Sequence, residues 1–213
     1  MEIPPGTTPV TSQAELAELL GEPLPRVAHK DRPRLDAYDR LWLAASPFCL
    51  VATSAADGSC DVSPKGDPPG FALVLDDRTI ALPERPGNRR ADGFRNVLTN
   101  PHVGLLFVVP GRADTLRING TATLVRDAPF FDRMTVRGHR PVVALVVAVE
   151  QVFYHCAKAF LRSRLWEPDV WEPGAVPSRA HIAQRLEQPE ALLEELERYY
   201  GPTYAEQLYS PPS

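Results

Sequence analysis

The 213-residue chain is long enough for one domain with short appendages, and its hydrophobic content of 44% is sufficient for a sizeable core. A formal net charge of -4 argues against a nucleic-acid-binding protein, which would normally present a strong basic excess. No apolar run approaches the length of a membrane span, and the first residues lack the basic region and apolar core of a secretion signal, so we expect a cytoplasmic protein with no nucleic-acid or membrane partner.

Two helices are predicted before the first strand. In "TSQAELAELLGEP", Ser12 is the expected cap, Glu15 is its capping-box partner and Gly21 is the stop signal. A second helix is predicted from Leu35 to Ala45, because apolar side chains recur there on one face and Pro47 follows.

From residue 47 the apolar pattern changes to a period of two, which is typical of strands. The segment "PFCLVATSAADGSCDVSP" predicts a hairpin turning at Asp57-Gly58, and "GFALVLDDRTIALP" predicts a second hairpin. Further strands are predicted in residues 102–110 and 114–127 and from residue 141, with one helix inserted before residue 102 and a short one starting at Pro129. This order predicts a mainly β fold with helices, arranged as in a barrel and not as in a doubly wound sheet.

The cysteines and histidines give no pattern typical of a disulfide framework or a metal site. Cys49, Cys60 and Cys156 are odd in number and have no CxxC spacing, so we expect reduced, buried thiols. The five histidines are scattered without HxxxH or HExxH spacing, and no metal site is predicted.

The segment "ALPERPGNRRADGF" places Arg89 and Arg90 side by side where a helix is predicted to begin, with Asn88 as its cap. The helix dipole disfavours positive charge at that end, so a bound anion is one interpretation. The first-turn amides and the two guanidiniums would then form a receptor for a phosphate or a carboxylate. The alternative is that the arginines are solvated and pair with Asp92 or Glu84.

The segment "CDVSPKGDPPGF" supplies a second polar pair. Ser63 and Lys65 are two residues apart at the end of a predicted strand, so their side chains are expected on the same side of the pleat. A hydroxyl and an ammonium on one side suit a phosphate. The alternative is a simple turn, for which Ser-Pro and Pro-Pro-Gly are typical, with Lys65 exposed.

Taken in order, "CDVSPKGDPPGF", "IALPERPGNRRADGFRNVLTNPHVGLLF" and "DTLRINGTATL" resemble the FMN-binding split barrels related to pyridoxamine 5'-phosphate oxidase. The resemblance is greatest to the subgroup with an SPKGDPPGF loop and a PGNRR turn, and it covers residues 35–166. Residues 1–34 would form an N-terminal arm and helix. Residues 167–213 would form a C-terminal helical tail packed on the barrel or on a dimer partner.

The resemblance implies a homodimer with FMN at the subunit interface. Ser63 and Lys65 would make polar contacts, the backbone of Leu82 and Pro83 would line the flavin ring, and Arg89 and Arg90 would hold the phosphate. Thr115 stands where the oxidases have a glutamine near the ring, and late-chain residues from "KAFLRSRLW" would reach across the interface. The candidate cofactor-binding residues are Ser63, Lys65, Leu82, Pro83, Asn88, Arg89, Arg90, Thr115, Lys158, Arg164 and Trp166.

The resemblance also implies an oxidoreductase that acts on a small molecule, with NAD(P)H docking transiently on the flavin and no side chain identified as catalytic. Oxidation of vitamin B6 is not implied, because Phe130 stands where the oxidases have a substrate-binding tyrosine, Met134 stands near the place of an arginine, and the late Arg-x-His pair is missing. A flavin carrier or sensor without turnover remains open, as does a split barrel that uses deazaflavin or haem.

Overall fold

The computed structural model of the chain describes residues 3–209, apart from the side chains at positions 26 and 207. The last four residues of the predicted C-terminal tail therefore lie outside the described part. The chain divides into two compact units, residues 1–31 and 32–213.

The first unit contains the helices α1 (Gln13–Leu20) and α2 (Pro25–Ala28). The predicted cap of α1 is confirmed, because the Ser12 hydroxyl accepts a hydrogen bond from the Glu15 N–H at 3.1 Å. The Glu15 carboxylate accepts from the backbone N–H of Thr11, one residue before the position that a standard capping box would use. Gly21 follows the helix with a φ of 77°, as a stop signal requires.

The second unit is built on seven antiparallel strands. They are β1 Phe48–Ser54, β2 Cys60–Gly66, β3 Leu73–Val74, β4 Thr79–Pro83, β5 His102–Val108, β6 Thr115–Val125 and β7 Ala144–His155. The unit also contains five α-helices, which are α3 Ala37–Ala45, α4 Asp92–Thr99, α5 Lys158–Ser163, α6 Arg179–Leu186 and α7 Leu193–Tyr199. A 3-10 helix covers Pro129–Met134. The predicted mainly β fold with helices is therefore confirmed.

The strands form one sheet in the order β2-β1-β5-β6-β7-β4-β3. Among the described residues β2 and β3 do not pair with each other, so the sheet does not close into a complete barrel. The predicted hairpin between β1 and β2 is confirmed, and Gly58 at its turn has a φ of 86°, which a side-chain-bearing residue would adopt only at a cost. Gly120 of β6 lies opposite a bulge in β7, where Glu150 is the extra residue, and a Cβ added at Gly120 would lie 1.9 Å from the Ala148 carbonyl oxygen.

The main core lies between α3, α4 and the inward faces of the strands. Leu43, Phe107, Ile118, Val147 and Val152 are fully buried members of this cluster. Truncating a buried side chain of this kind typically lowers the free energy of unfolding by about 2 to 5 kcal/mol. These residues therefore stabilise the sheet that carries the polar residues described below.

Helix α3 begins two residues later than predicted, because Asp36 is its cap and forms a capping box with Asp39. Asp39 is fully buried and accepts two hydrogen bonds from the guanidinium of Arg32, at 2.8 and 2.9 Å. The Arg32 backbone in turn pairs with Val152 in β7. This connection ties the start of the second unit to the middle of its sheet.

All three cysteines are free thiols, as predicted, but the predicted burial is correct at one position and wrong at two. Cys49 is buried in β1, and burial raises the pKa of its thiol to about 12. Cys60 and Cys156 are exposed, because Cys60 begins the edge strand β2 and Cys156 follows the end of β7. The described residues contain no helix that is both long and apolar enough to cross a membrane, and no group of three or more His, Cys, Asp or Glu placed to hold a metal ion.

Candidate functional site

A groove of about 480 Å³ lies between strand β2 and the segment that leads from β4 into α4. It is lined by residues 61–66, 83–88 and 90–94, together with Phe71. Five of the predicted cofactor-binding residues line it, which are Ser63, Lys65, Pro83, Asn88 and Arg90. The structure therefore brings the two polar segments of the sequence to one place.

Strand β2 lines the groove along residues 61–66, and the side chains along it alternate in burial. Ser63 and Lys65 are half-buried on the same face, as predicted, whereas Val62 and Pro64 are exposed on the opposite face. Asp61 shares the face of Ser63 and Lys65 and also lines the groove. The sequence prediction missed Asp61, although the same two-residue spacing could have identified it.

The helix predicted to follow Asn88 as its cap starts three residues later, at Asp92 with Ala91 in the cap position. Asn88 is not its cap, because its side-chain oxygen accepts from the Arg90 N–H at 3.0 Å and so closes a turn before the helix. Arg89 and Ala91 have φ values of 59° and 53°, in the left-handed region, which a helix cannot continue through. The two arginines therefore lie in the loop before α4 and not on its first turn.

The cations of the groove are paired with carboxylates. The Lys65 ammonium lies 2.5 Å from a Glu84 oxygen, and the Arg90 guanidinium donates to Asp92. The Arg90 side chain is 78% exposed. The interpretation that an arginine pairs with Asp92 is thus confirmed for Arg90, while Glu84 pairs with a lysine from another strand.

The groove as a whole is electrically balanced. Its lining contains the carboxylates of Asp61, Glu84 and Asp92, and against these stand Lys65, Arg85 and Arg90. An anion that enters must therefore exchange places with carboxylates that already neutralise the cations. Such exchange is inexpensive where the pair is exposed, since surface ion pairs contribute about 0 to 1 kcal/mol.

The first turn of α4 packs directly on the face of β2 that lines the groove. A Cβ added at Gly93 would lie 3.0 Å from an Asp61 carboxylate oxygen, 3.4 Å from the Thr53 hydroxyl and 3.7 Å from the Ser63 hydroxyl. No side chain caps α4 in the described part of the chain, and the Asp61 carboxylate lies close to this end. The positive end of a helix dipole favours an anion at such a place.

Apolar surfaces adjoin the polar groups. The Lys65 ammonium lies 4.7 Å from the centre of the Phe94 ring, and Phe71 and Pro83 also line the groove. Leu82, the other predicted ring contact on β4, is 2% exposed and belongs to the main core instead of the lining.

The remaining candidate residues do not line the groove. Arg89 lines a neighbouring cavity of about 520 Å³. Thr115 is 2% exposed and pairs with His155, the last residue of β7. Pro83, which lines the groove, pairs with Ala144, the first residue of β7. Thr115 and the groove therefore lie at opposite ends of β7.

The late-chain candidates are held by contacts of their own. Arg164 forms an ion pair with Glu167 at 2.6 Å, and Lys158 is the first residue of α5. The Trp166 indole N–H donates to the Arg112 carbonyl at 2.7 Å, in the turn between β5 and β6. Trp166 is thus held near the start of β6, and none of the three residues lines the groove.

The sequence matches the model of the pyridoxamine 5'-phosphate oxidase family over residues 35–156, which is more than half of the chain. The chain belongs to this family. The resemblance expected from the sequence is thereby confirmed. No curated protein sequence matches the chain.

Several solved structures are similar to part of this member of the pyridoxamine 5'-phosphate oxidase family. HupZ of Group A Streptococcus is 19% identical with a TM-score of 0.46, covering 56% of this chain and 93% of that one. A Clostridium acetobutylicum protein related to general stress protein 26, of the pyridoxinephosphate oxidase family, is 17% identical with a TM-score of 0.42 and coverages of 55% and 85%. HutZ, the heme storage protein from Vibrio cholerae, is 14% identical with a TM-score of 0.38 and coverages of 57% and 94%.

This member of the pyridoxamine 5'-phosphate oxidase family has apolar side chains at the positions where the sequence resemblance locates the substrate contacts of the oxidases. Met134 is 4% exposed and belongs to a small apolar cluster with Phe131, and Phe130 packs against the same cluster. These side chains are part of the packing beneath the 3-10 helix Pro129–Met134, and they offer no charged or hydroxyl group to a phosphorylated substrate.

Proposed function

We propose that this chain binds FMN in the groove between β2 and the β4–α4 segment and acts as an oxidoreductase on a small molecule. One observation carries the proposal. The hydroxyl of Ser63, the ammonium of Lys65 and the guanidinium of Arg90 line the same groove as the first turn of α4, which has no side-chain cap in the described residues. Membership in the pyridoxamine 5'-phosphate oxidase family supports the same assignment.

The donor set fits the phosphate of FMN. A phosphate dianion is bound best by fixed cations together with backbone amides, and both are present along the groove. On binding, Lys65 and Arg90 would release Glu84 and Asp92 and turn to the phosphate. The carboxylate of Asp61, which lies at the first turn of α4, would give way to the same group.

The walls of the groove fit a flat ring. Phe71, Pro83 and Phe94 supply apolar surface beside the polar residues, and such surface excludes water from a bound ring system. When bound, the flavin supplies the hydride chemistry, and the protein supplies placement and charge. The chain's own roles are then to hold the phosphate through Lys65 and Arg90 and to orient the ring against the apolar wall.

We further propose that the functional form is a homodimer. Thr115, Lys158, Arg164 and Trp166 do not line the groove of their own chain, so they would meet a flavin there only if a second copy supplied them. Exposed apolar side chains near the late-chain residues, such as Leu161 and Leu165, are 65% and 46% exposed and would be covered by such a copy.

Purification of the full chain followed by absorption spectroscopy tests the proposal. We expect a flavin spectrum that bleaches when NAD(P)H is added and recovers in air, and a mass spectrum of the released molecule that matches FMN. A flavin that no reductant bleaches would instead indicate a carrier or sensor. Release of deazaflavin or haem, or a protein that binds no FMN on titration, would contradict the assignment.

A further inference from the structure

The cavity of about 520 Å³ beside the groove ends in a slot that is filled by a tyrosine from the C-terminal end of the chain. The cavity is lined by residues 84–87 and 139–143, with Phe94 and Tyr209. We define the Tyr209 slot as the site formed around this ring by Asp67, Arg85, Arg137 and His139.

The Tyr209 ring makes contacts on three sides. It stacks on His139 with ring centres 5.6 Å apart and planes inclined by 20°. The guanidinium carbons of Arg85 and Arg137 each lie 5.7 Å from its centre, within the range of cation–π attraction. Its hydroxyl donates a hydrogen bond to Asp67.

Two members of the slot, Asp67 and Arg85, also form bonds that do not involve Tyr209. The Asp67 side chain is 2% exposed, and its second oxygen accepts from the Arg85 Nε at 2.5 Å. Arg85 also donates to the carbonyls of Met134, at 2.7 Å, and His139, at 3.2 Å. The carboxylate and one guanidinium thus have partners other than Tyr209, which is 142 positions from Asp67 in the chain.

We propose that the Tyr209 slot is a binding site for the phenol ring of a small molecule, and that Tyr209 occupies it as an intramolecular competitor. The buried carboxylate selects a ring that carries a hydroxyl donor, because an unpaired Asp67 oxygen in that position would be costly. Stacking on His139 and the flanking guanidiniums select an aromatic ring. The adjoining Pro141 and Val142 leave an apolar space for a substituent on the ring.

The ionisation of the phenol agrees with this geometry. Burial and the hydrogen bond to Asp67 raise the pKa of Tyr209. The hydroxyl therefore keeps its proton at neutral pH, as a donor to a carboxylate must. The site goes beyond the flavin proposal, because Asp67 and Tyr209 do not line the groove, and Arg85 is the one slot residue that also lines it.

Titration of the full chain with 4-methylphenol, which is the side chain of tyrosine as a free molecule, tests the proposal by calorimetry. We expect Tyr209→Ala to bind 4-methylphenol about tenfold more tightly than the unsubstituted chain, because a tethered competitor has an effective concentration near the millimolar range. The matched control is Tyr204→Ala, since Tyr204 contacts Tyr199 and Tyr200 and lies outside the slot. This control should bind like the unsubstituted chain.

The hydroxyl is tested with 4-methylanisole, which has the same ring but no O–H donor and should bind Tyr209→Ala several-fold more weakly. Tyr209→Phe keeps a ring in the slot but loses the hydrogen bond to Asp67. We expect its affinity for 4-methylphenol to lie between that of the unsubstituted chain and that of Tyr209→Ala. Equal affinities in Tyr209→Ala and Tyr204→Ala, or equal binding of the phenol and its ether, would overturn the proposal. Both readouts are independent of flavin content, so they distinguish failure of the slot from failure of the groove.

Discussion

The groove and the Tyr209 slot lie on either side of the same segment after β4, and both contain ion pairs, but the pairs differ in burial. In the groove, the side chains of Arg90 and Asp92 are 78% and 34% exposed. In the slot, those of Arg85 and Asp67 are 13% and 2% exposed. An exposed pair can exchange its partners with little change in free energy, whereas separating a buried pair leaves an uncompensated charge. The Arg90–Asp92 pair is therefore suited to give way to an anion, the Lys65–Glu84 pair is intermediate with side chains 20% and 30% exposed, and the slot pair is suited to remain as a wall.

The largest effect is expected from breaking the buried pair. Asp67→Ala leaves the Arg85 guanidinium without its carboxylate and should lower the free energy of unfolding by about 3 kcal/mol, measured by urea denaturation. Asp92→Ala is the matched control because it removes a carboxylate from the exposed pair, and it should unfold at nearly the same urea concentration as the unsubstituted chain. Equal losses in the two variants would remove the distinction between the two regions.

A second prediction concerns the exchangeable pairs of the groove. Replacing Lys65 and Arg90 together by alanine should weaken FMN binding about tenfold or more, because two charge-assisted bonds to the phosphate are lost, while the fold is retained. Arg34→Ala serves as the control, since Arg34 forms a comparable exposed pair with Asp77 outside the groove. Full retention of FMN in the double variant would contradict the assignment of the groove.

The smallest effect is expected from salt. Raising the ionic strength from about 0.1 M to 1 M shortens the screening length from about 10 Å to 3 Å and should weaken FMN binding several-fold, because the Arg90 guanidinium is solvated. The loss of stability in Asp67→Ala should hardly change over the same range, because that pair is buried. Affinity titrations and urea denaturation at the two salt concentrations measure the two responses. If salt changed the FMN affinity and the stability loss of Asp67→Ala by the same factor, the difference in burial between the two regions would not explain their behaviour.

The strands were predictable because their signals are local. Alternating side chains and the Asp57-Gly58 turn identify β1 and β2, and the same period places Ser63 and Lys65 on one face. The start of α4 was not predictable in this way. It depends on left-handed conformations at Arg89 and Ala91, two residue types that seldom adopt them and therefore give no sequence signal.

The pairing of charges was likewise beyond the sequence. Glu84 was considered as a partner for the arginines, yet it pairs with Lys65, which precedes it by 19 residues on a different strand. The slot depends on a contact between Asp67 and Tyr209, and no periodicity connects positions 142 residues apart. Local spacing shows which face a side chain occupies, but not which of several nearby opposite charges it meets.

Pro64 gives strand β2 a property that is separate from ligand binding. The strand forms one boundary of the sheet, and an unpaired boundary strand is a template on which another molecule can add a strand of its own. Proline has no N–H to offer to such an added strand. The strand that lines the groove is thus also protected against aggregation between molecules.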